Sequence, residues 1–420
     1  MRSYTKVDKL KLAQTNKYNV FNCIVQKGPI NRAAIAKWTD LSLPTVMTIT
    51  GELLEKNAIR SIGKGEINRS LQNKNGMITG SNTGKPPEML QVNPDFCYTI
   101  GVDLGRTTVR IVINDAAFQQ KICYKEAMGD PFPEDDFISR IIKLIQKLMK
   151  SQRIRKNQIL GAGIAMPGLI ENGSGRVIVS PDFGWNNVSL QDQLRKALLF
   201  PVMVKNSNHA LALNESAFEG DNYRVSFCVN LGYGIGAALI VGSDLYTGAW
   251  GADGELGHSV MVKNGPLCKC GNSGCLESVA SGEAIARQAA AIVAHHGGSK
   301  ILELCDGDIS KIDASMVFRA AEGGDEGSRK IISAAAEYIG IGVSTAVNIM
   351  DPDRVILSGG LMKNDPRFFE NIRSHMEEHI MYHSGRKLEV AIGKGGEYST
   401  AHGACRALLN TFWTEQKLPI

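Results

Sequence analysis

The sequence has no long apolar run: no window of its 420 residues approaches eighteen uninterrupted apolar positions, the least that reads as a membrane-spanning helix. Its first residues, MRSYTKVDKLKLAQTNKYNVF, hold no apolar core of a secretory signal. These absences point to a cytoplasmic chain without membrane insertion. Acid is scarce at one end. Residues 1–95 carry 14 Lys and Arg against 7 Asp and Glu, within a whole-chain net charge of +5. A polyanion partner for that segment alone would account for the asymmetry, as would a solvated basic surface. Of nine cysteines, Cys23, Cys97, Cys123, Cys228, Cys305 and Cys405 are scattered in apolar contexts and read as buried free thiols. The other three crowd into eight positions, where a reducing compartment favours a metal over a disulfide. The length exceeds what one core supports, so two or more compact units are expected.

What the sequence does contain begins with a helix-turn-helix pattern. Asn19 to Lys27 offers Val20, Phe21, Ile24 and Val25 on one face and stops at Gly28-Pro29. Asn31 can cap a second helix running to Lys37. Ser42 can cap a third, with Pro44 in its first turn and Val46, Ile49, Leu53 and Leu54 facing inward. That leaves Thr45, Met47, Thr48 and Thr50 outward, short side chains suited to a recognition helix in a major groove. Ala58 to Ile62 reads as a strand. The polar stretch from Gly63 to Gly84 reads as a wing whose Lys64, Arg69 and Lys74, with Lys85 beyond, are placed to follow phosphates. A three-helix adaptor or dimerisation domain would share the helical spacing.

From Tyr98 the texture changes to strands that end in glycine turns. Tyr98–Asp103 and Val109–Ile113 flank Leu104–Thr108. Ile159–Ala165 runs into Met166-Pro167-Gly168, Phe227–Ile240 folds about Gly232-Tyr233-Gly234, and Val355 leads to Ser358-Gly359-Gly360. Such turns cradle phosphates or bring backbone close to a ligand. With helical stretches at Ile138–Met149 and Ser328–Val347, they predict two similar α/β lobes around a nucleotide-type cleft.

The sharpest local pattern is Gly254-Glu255-Leu256-Gly257-His258 followed by Cys268-Lys-Cys270-Gly-Asn-Ser-Gly-Cys275-Leu-Glu277. Three thiolates and one imidazole form the closed shell that holds structural zinc. His258 owes its candidacy to the cysteines downstream. An ion there would also fix Glu255 and Glu277, rigid acceptors for a ligand rich in hydroxyls.

On these motifs the chain resembles the ROK family of bacterial repressors and sugar kinases. The resemblance runs from Asn19 to about Leu409, and the Gly-Glu-Leu-Gly-His to Cys-Leu-Glu signature is its most specific part. Gly-Pro-Ile-Asn31-Arg32, Leu-Ser-Leu-Pro-Thr-Val46 and Thr83-Gly-Lys-Pro-Pro87 resemble the repressor branch, which includes xylose- and N-acetylglucosamine-responsive members. The resemblance implies a winged helix-turn-helix over residues 1–95, then a two-lobed, actin-like (ribonuclease-H-like) sugar-kinase fold. Its first lobe would span 96–217 plus about 386–420. The second, 218–385, would carry the zinc site and a dimerisation surface. It further implies DNA contacts from Asn31, Arg32 and Ser42, and sugar contacts from Asn206, Glu255, His258 and Glu277, with Gly168 and Asp182 lining the pocket.

Where family kinases have an Asn-Asp pair whose Asp is the general base, this chain has Asn206-Ser207. A missing base forfeits about 10²–10⁴ in rate. Arg106 and Tyr233 put bulk into the two phosphate turns, and Arg106 leaves a phosphosugar open as the effector. The expectation is a homodimer, or a tetramer, that binds operator DNA, is released by a sugar or phosphosugar, and is no longer an enzyme. A kinase with a DNA-binding extension, or a regulator answering to a protein partner of a sugar transport system, are the rival readings.

Overall fold

The computed structural model of the chain describes residues 9–64, 86–129, 133–218, 223–296, 300–381 and 387–414. Arg69, Lys74 and Lys85 of the expected wing lie outside them. Three helices, α1 (Lys9–Lys27), α2 (Arg32–Thr39) and α3 (Leu43–Glu55), pack with strands β1 (Ile30–Asn31), β2 (Ile59–Lys64) and β3 (Glu88–Val92). The strands pair antiparallel in the order β1-β3-β2, which is a winged-helix arrangement. Helix α1 starts ten residues before the expected Asn19. Its first turns hold good helix formers, Lys, Leu, Ala and Gln, without the dense apolar stripe that marks the second half. The caps are as expected: the Asn31 side chain accepts from Ala34 N at 2.9 Å, and Ser42 Oγ from Thr45 N at 3.4 Å. The core of this unit, built on Val20, Phe21, Ile24, Ile35, Val46 and Leu53, extends to Leu160, Leu409 and Phe412 of the body. The reader is therefore packed on the body through a shared apolar contact.

The body repeats one topology twice. In the first lobe β4 (Tyr98–Leu104), β5 (Thr108–Asp115) and β6 (Gln120–Ala127) form an antiparallel meander. Strands β7 (Ile159–Met166) and β11 (Val202–Asn206) add in parallel, giving the order β11-β7-β4-β5-β6. A small sheet of β8 (Leu169–Ile170), β9 (Val177–Ser180) and β10 (Trp185–Val188) flanks it. In the second lobe the meander is β12 (Val225–Leu231), β13 (Ile235–Val241) and β14 (Asp244–Leu245). The parallel additions are β15 (Arg354–Ser358) and β16 (Glu389–Ile392), giving β14-β13-β12-β15-β16. Glycine turns join the hairpins at corresponding places, as the sequence predicted. The pairing of β16 with β15 assigns Glu389–Ile392 to the second sheet, so the expected return to the first lobe at about residue 386 comes too early. Four residues with no full alternation carried no signal of which sheet they join.

Helices cover both outer faces. Helices α4 (Glu134–Ser151) and α5 (Leu190–Leu198) bury Phe137, Ile141, Ile145 and Leu194 on the first sheet. The second lobe carries α7 (Leu276–Ala280), α8 (Gly282–His296), α9 (Lys300–Leu304), α10 (Ala314–Glu322), α11 (Glu326–Met350) and α12 (Pro366–His379). Helix α11 is long and apolar enough to cross a membrane, yet 56% of its most apolar stretch is buried in the protein, where Ile332, Ile339 and Val343 are part of the lobe's core.

Between the sheets lie two more helices, α6 (Ser207–Ser216) and α13 (Ser399–Thr414). Helix α13 sits almost on the first sheet: a Cβ added at Gly101 would stand 1.9 Å from the Ala401 carbonyl oxygen, and one at Gly163 2.0 Å from that of Ala404. Helix α6 packs Leu211 and Ala212 on Cys228, Ala238 and Ile356 of the second. The two helices form the seam between lobes.

Candidate functional site

A cleft of about 660 Å³ opens along that seam, lined by the glycine turns of both lobes and by the metal-type loop. Gly168, Asp182, Asn206, Glu255, His258 and Glu277 all line it. Its chemistry divides into two halves.

In the first half, polar side chains are held by backbone groups and by one another. Asn206 ends β11 and caps α6, its Oδ1 accepting from Asn208 N at 2.7 Å, while its Nδ2 donates to the Gly168 carbonyl at 2.9 Å. An amide nitrogen has two protons, so one remains for a ligand. Gly168 has φ +121, and a Cβ there would lie 2.5 Å from the Val179 carbonyl oxygen. Across the cleft, Glu277 Oε2 accepts from Ile235 N at 2.9 Å. Asn230 Nδ2 donates to Asn208 Oδ1 at 3.0 Å, and Gly236 leaves the space that the Asn208 amide fills. Beneath, the buried pair His209 and Asp253, 2.9 Å apart, ties α6 to the loop that carries Glu255. Burial raises the carboxyl of Glu255 above its ordinary range; His258 opposes this and Glu277 adds to it. Burial likewise raises Glu277, against the Ile235 N–H. Two acids so placed favour hydroxyl donors between them.

The metal-type loop buttresses this half. His258, Cys268, Cys270 and Cys275 bring their ligand atoms within 4.8 Å of one another. Cys270 and Cys275 sulfurs are 3.7 Å apart, and Cys268 Sγ is 3.6 Å from His258 Nδ1. A tetrahedral ion bonded to sulfur at the usual length would set its sulfurs about 3.8 Å apart. Burial pushes the Cys275 thiol up to about 12, and the neighbouring Cys270 and Cys268 add to the shift. Thiolates that close need a cation. The group can coordinate a metal ion. The other imidazole nitrogen, Nε2, stands 3.5 Å from Glu255 Oε2, the position from which a carboxylate orients a metal-bound histidine.

The second half carries larger side chains at its turns. Ser207 starts α6 where the resemblance expects a carboxylate. Arg106 and Tyr233 line the two turns, with Lys269 Nζ 4.6 Å over the Tyr233 ring. Asp103 faces Arg110 at 3.3 Å; burial pushes its carboxyl up to about 6 despite that cation. The sequence reading missed Arg110, although it is the direct cross-strand partner of Asp103 in the hairpin register.

On the reader, Met47 and Thr48 are exposed on α3, with Thr45 half-buried beside them and Lys64 exposed at the end of β2. Thr50 is not outward as expected but fully buried. Positions 46, 49, 50 and 53 form one i, i+3, i+4, i+7 stripe, so the periodicity that buries Val46 buries Thr50 too. Arg32 is turned inward as well, its Nε donating to Thr50 Oγ1 at 2.8 Å and its Nη1 paired with Glu88. Asn31 and Ser42 spend their side chains on caps.

The ROK family model matches residues 99–410. The xylose repressor of Caldicellulosiruptor bescii is 31% identical over 387 residues, 91% of this chain and 92% of that protein. The glucokinase of Thermotoga maritima is 33% identical over 286 residues, 67% of this chain and 88% of that protein. Among solved structures, a ROK-family regulator homologous to Escherichia coli Mlc has a TM-score of 0.76 at 24% identity, over 96% of this chain and 98% of that one. A Streptomyces griseus glucokinase with glucose and AMPPNP has a TM-score of 0.65 at 26% identity, over 74% of this chain and 98% of that one.

Proposed function

The chain belongs to the ROK family, and we propose that it serves there as a sugar-responsive, DNA-binding transcriptional regulator, a repressor of carbohydrate uptake or catabolism genes. One observation carries this reading. A winged helix shares an apolar core with a body whose cleft brings Asn206, Glu255 and Glu277 together and has Ser207 where the family resemblance expects a carboxylate. The reading has the protein bind a sugar or phosphosugar without phosphorylating it.

In this reading Asn206, Glu255 and Glu277 receive the hydroxyls, and His258 holds Glu255 in place. The donor set fits zinc, which would be held by His258, Cys268, Cys270 and Cys275 and would supply rigidity. A homodimer, or a tetramer made of two such dimers, sets two α3 helices in successive major grooves about 34–36 Å apart. Helix α13 links the halves of the molecule. Ser399 and Thr400 line the cleft, and Leu409 and Phe412 reach the reader's core. Ligand acts through its difference in affinity for two lobe arrangements, and a complete switch needs about 5.5 kcal/mol.

Calorimetric titration with pentoses, hexoses, N-acetyl sugars and their phosphates, beside an ADP-release assay with MgATP, tests the reading. Binding of one sugar class with no ADP released is expected. Sugar-dependent ADP release that disappears in Asn206→Ala would make the chain a kinase.

A further inference from the structure

Lys269 lies between two metal-ligand cysteines and takes no part in the ligand set. Its ammonium meets groups from three elements. It is 2.8 Å from Glu283 Oε2 at the start of α8, 3.2 Å from Asp182 Oδ1, and 4.6 Å above the Tyr233 ring. Glu283 and Tyr233 belong to the second lobe, like Lys269 itself. Asp182 does not. It sits in the turn between β9 and β10, a sheet anchored in the first lobe's core by Val177, Trp185 and Phe183. The contact therefore spans the mouth of the cleft.

We propose that Lys269 is a positioning residue that latches the two lobes together, with Asp182 as its strike plate. Three features favour this over an incidental surface pair. The side chains keep only 35% (Lys269), 24% (Asp182) and 32% (Glu283) of their exposure, so water screens them less than an exposed pair. Glu283 and Tyr233 pre-orient the ammonium within its own lobe, which lowers the entropy lost on meeting Asp182. Cys268 and Cys270 on either side place the backbone of Lys269 under control of the metal site. The metal loop thus holds the ligand-side acids on one flank and sets the width of the cleft on the other. The consequence for gene regulation rests on the function proposed above; the latch itself rests on the lobes alone.

Small-angle scattering of the full-length, metal-loaded protein, without sugar or DNA, tests it. Lys269→Met and Asp182→Asn should each raise the radius of gyration, whereas Lys269→Arg should keep the wild-type value and Glu283→Gln, which removes only the pre-orientation within one lobe, should raise it less than Asp182→Asn. Metal content is measured alongside. If Lys269→Met loses its metal, Asp182→Asn, distant from the ligands in sequence, decides alone. A wild-type radius in Asp182→Asn, or an increase in Glu283→Gln equal to that in Asp182→Asn, overturns the latch. Because no sugar or operator is present, this outcome is independent of whether the regulatory reading holds.

Discussion

The two halves of the cleft are built from the same kinds of part, glycine turns at strand ends, and differ in what those turns hold. On one side the turns bring backbone up to polar side chains: the Gly168 carbonyl accepts from Asn206, and Gly234 and Gly236 leave the space that Glu277 and Asn208 fill. On the other, the turns carry the side chains of Arg106 and Tyr233, and the Asp103–Arg110 pair lines the cleft beside them. A half that keeps its glycines and its caps is still shaped for a ligand. In the proposed reading, the side chains of Arg106 and Tyr233 hinder the close backbone approach that phosphates require. The contrast teaches that binding and chemistry can part company within one cavity, because each depends on different atoms of it.

The largest effect expected is a gain. If the second half alone blocks phosphoryl transfer, the combined replacement Arg106→Gly, Ser207→Asp and Tyr233→Thr should raise sugar-dependent ADP release by about 10²–10⁴, the usual worth of a general base. Ser207→Asp by itself should do far less. Equal rates for the single and the triple variant would show that the phosphate turns were never the obstacle.

The next largest effect is expected from the His258, Cys268, Cys270 and Cys275 group, if it holds the metal proposed for it. Chelation, or Cys275→Ser, should weaken sugar binding by roughly 100-fold, since Glu255 is oriented through His258. Calorimetry with matched metal analysis checks this, and unchanged affinity in the metal-free protein would detach the loop from the site.

Asp103 offers a pH test of the second half. Its carboxyl titrates near 6 in the folded chain against about 3.8 free, so ionisation costs stability. The cost is absent below pH 4, grows as pH rises to 6, and is complete above it. Asp103→Asn should therefore raise stability at pH 7–8, by about 3 kcal/mol, and leave it unchanged near pH 4, as thermal melts at the two pH values would read. A variant less stable at pH 8 would mean that Arg110 needs the charge.

Gly168→Ala is the smallest change. A positive φ and a Cβ 2.5 Å from the Val179 oxygen should cost about 1–2 kcal/mol, with sugar affinity falling because the shifted backbone displaces the carbonyl to which Asn206 donates. Thermal melts paired with calorimetry separate the two effects.

Much of this was legible in the sequence, for identifiable reasons. The metal cluster, the caps at Asn31 and Ser42 and the glycine turns are local patterns, and each formed where its spacing placed it. Thr50 was misread because its hydroxyl suggested a surface residue, although its place on the apolar stripe said otherwise. The full length of α1 was hidden by polar helix formers. The assignment of β16 to the second sheet and the Lys269–Asp182 contact are tertiary, and nothing within a few residues of either announces its partner. The exception is Asp103–Arg110, which the hairpin register alone would have revealed.

The most direct measurement is fluorescence anisotropy of the full-length, metal-loaded protein on DNA from upstream of its own gene, titrated with the sugar that calorimetry shows to bind. The account predicts DNA affinity that falls as the sugar saturates, and an Asn206→Ala protein that holds DNA but no longer responds. DNA affinity unchanged at saturating sugar would contradict it.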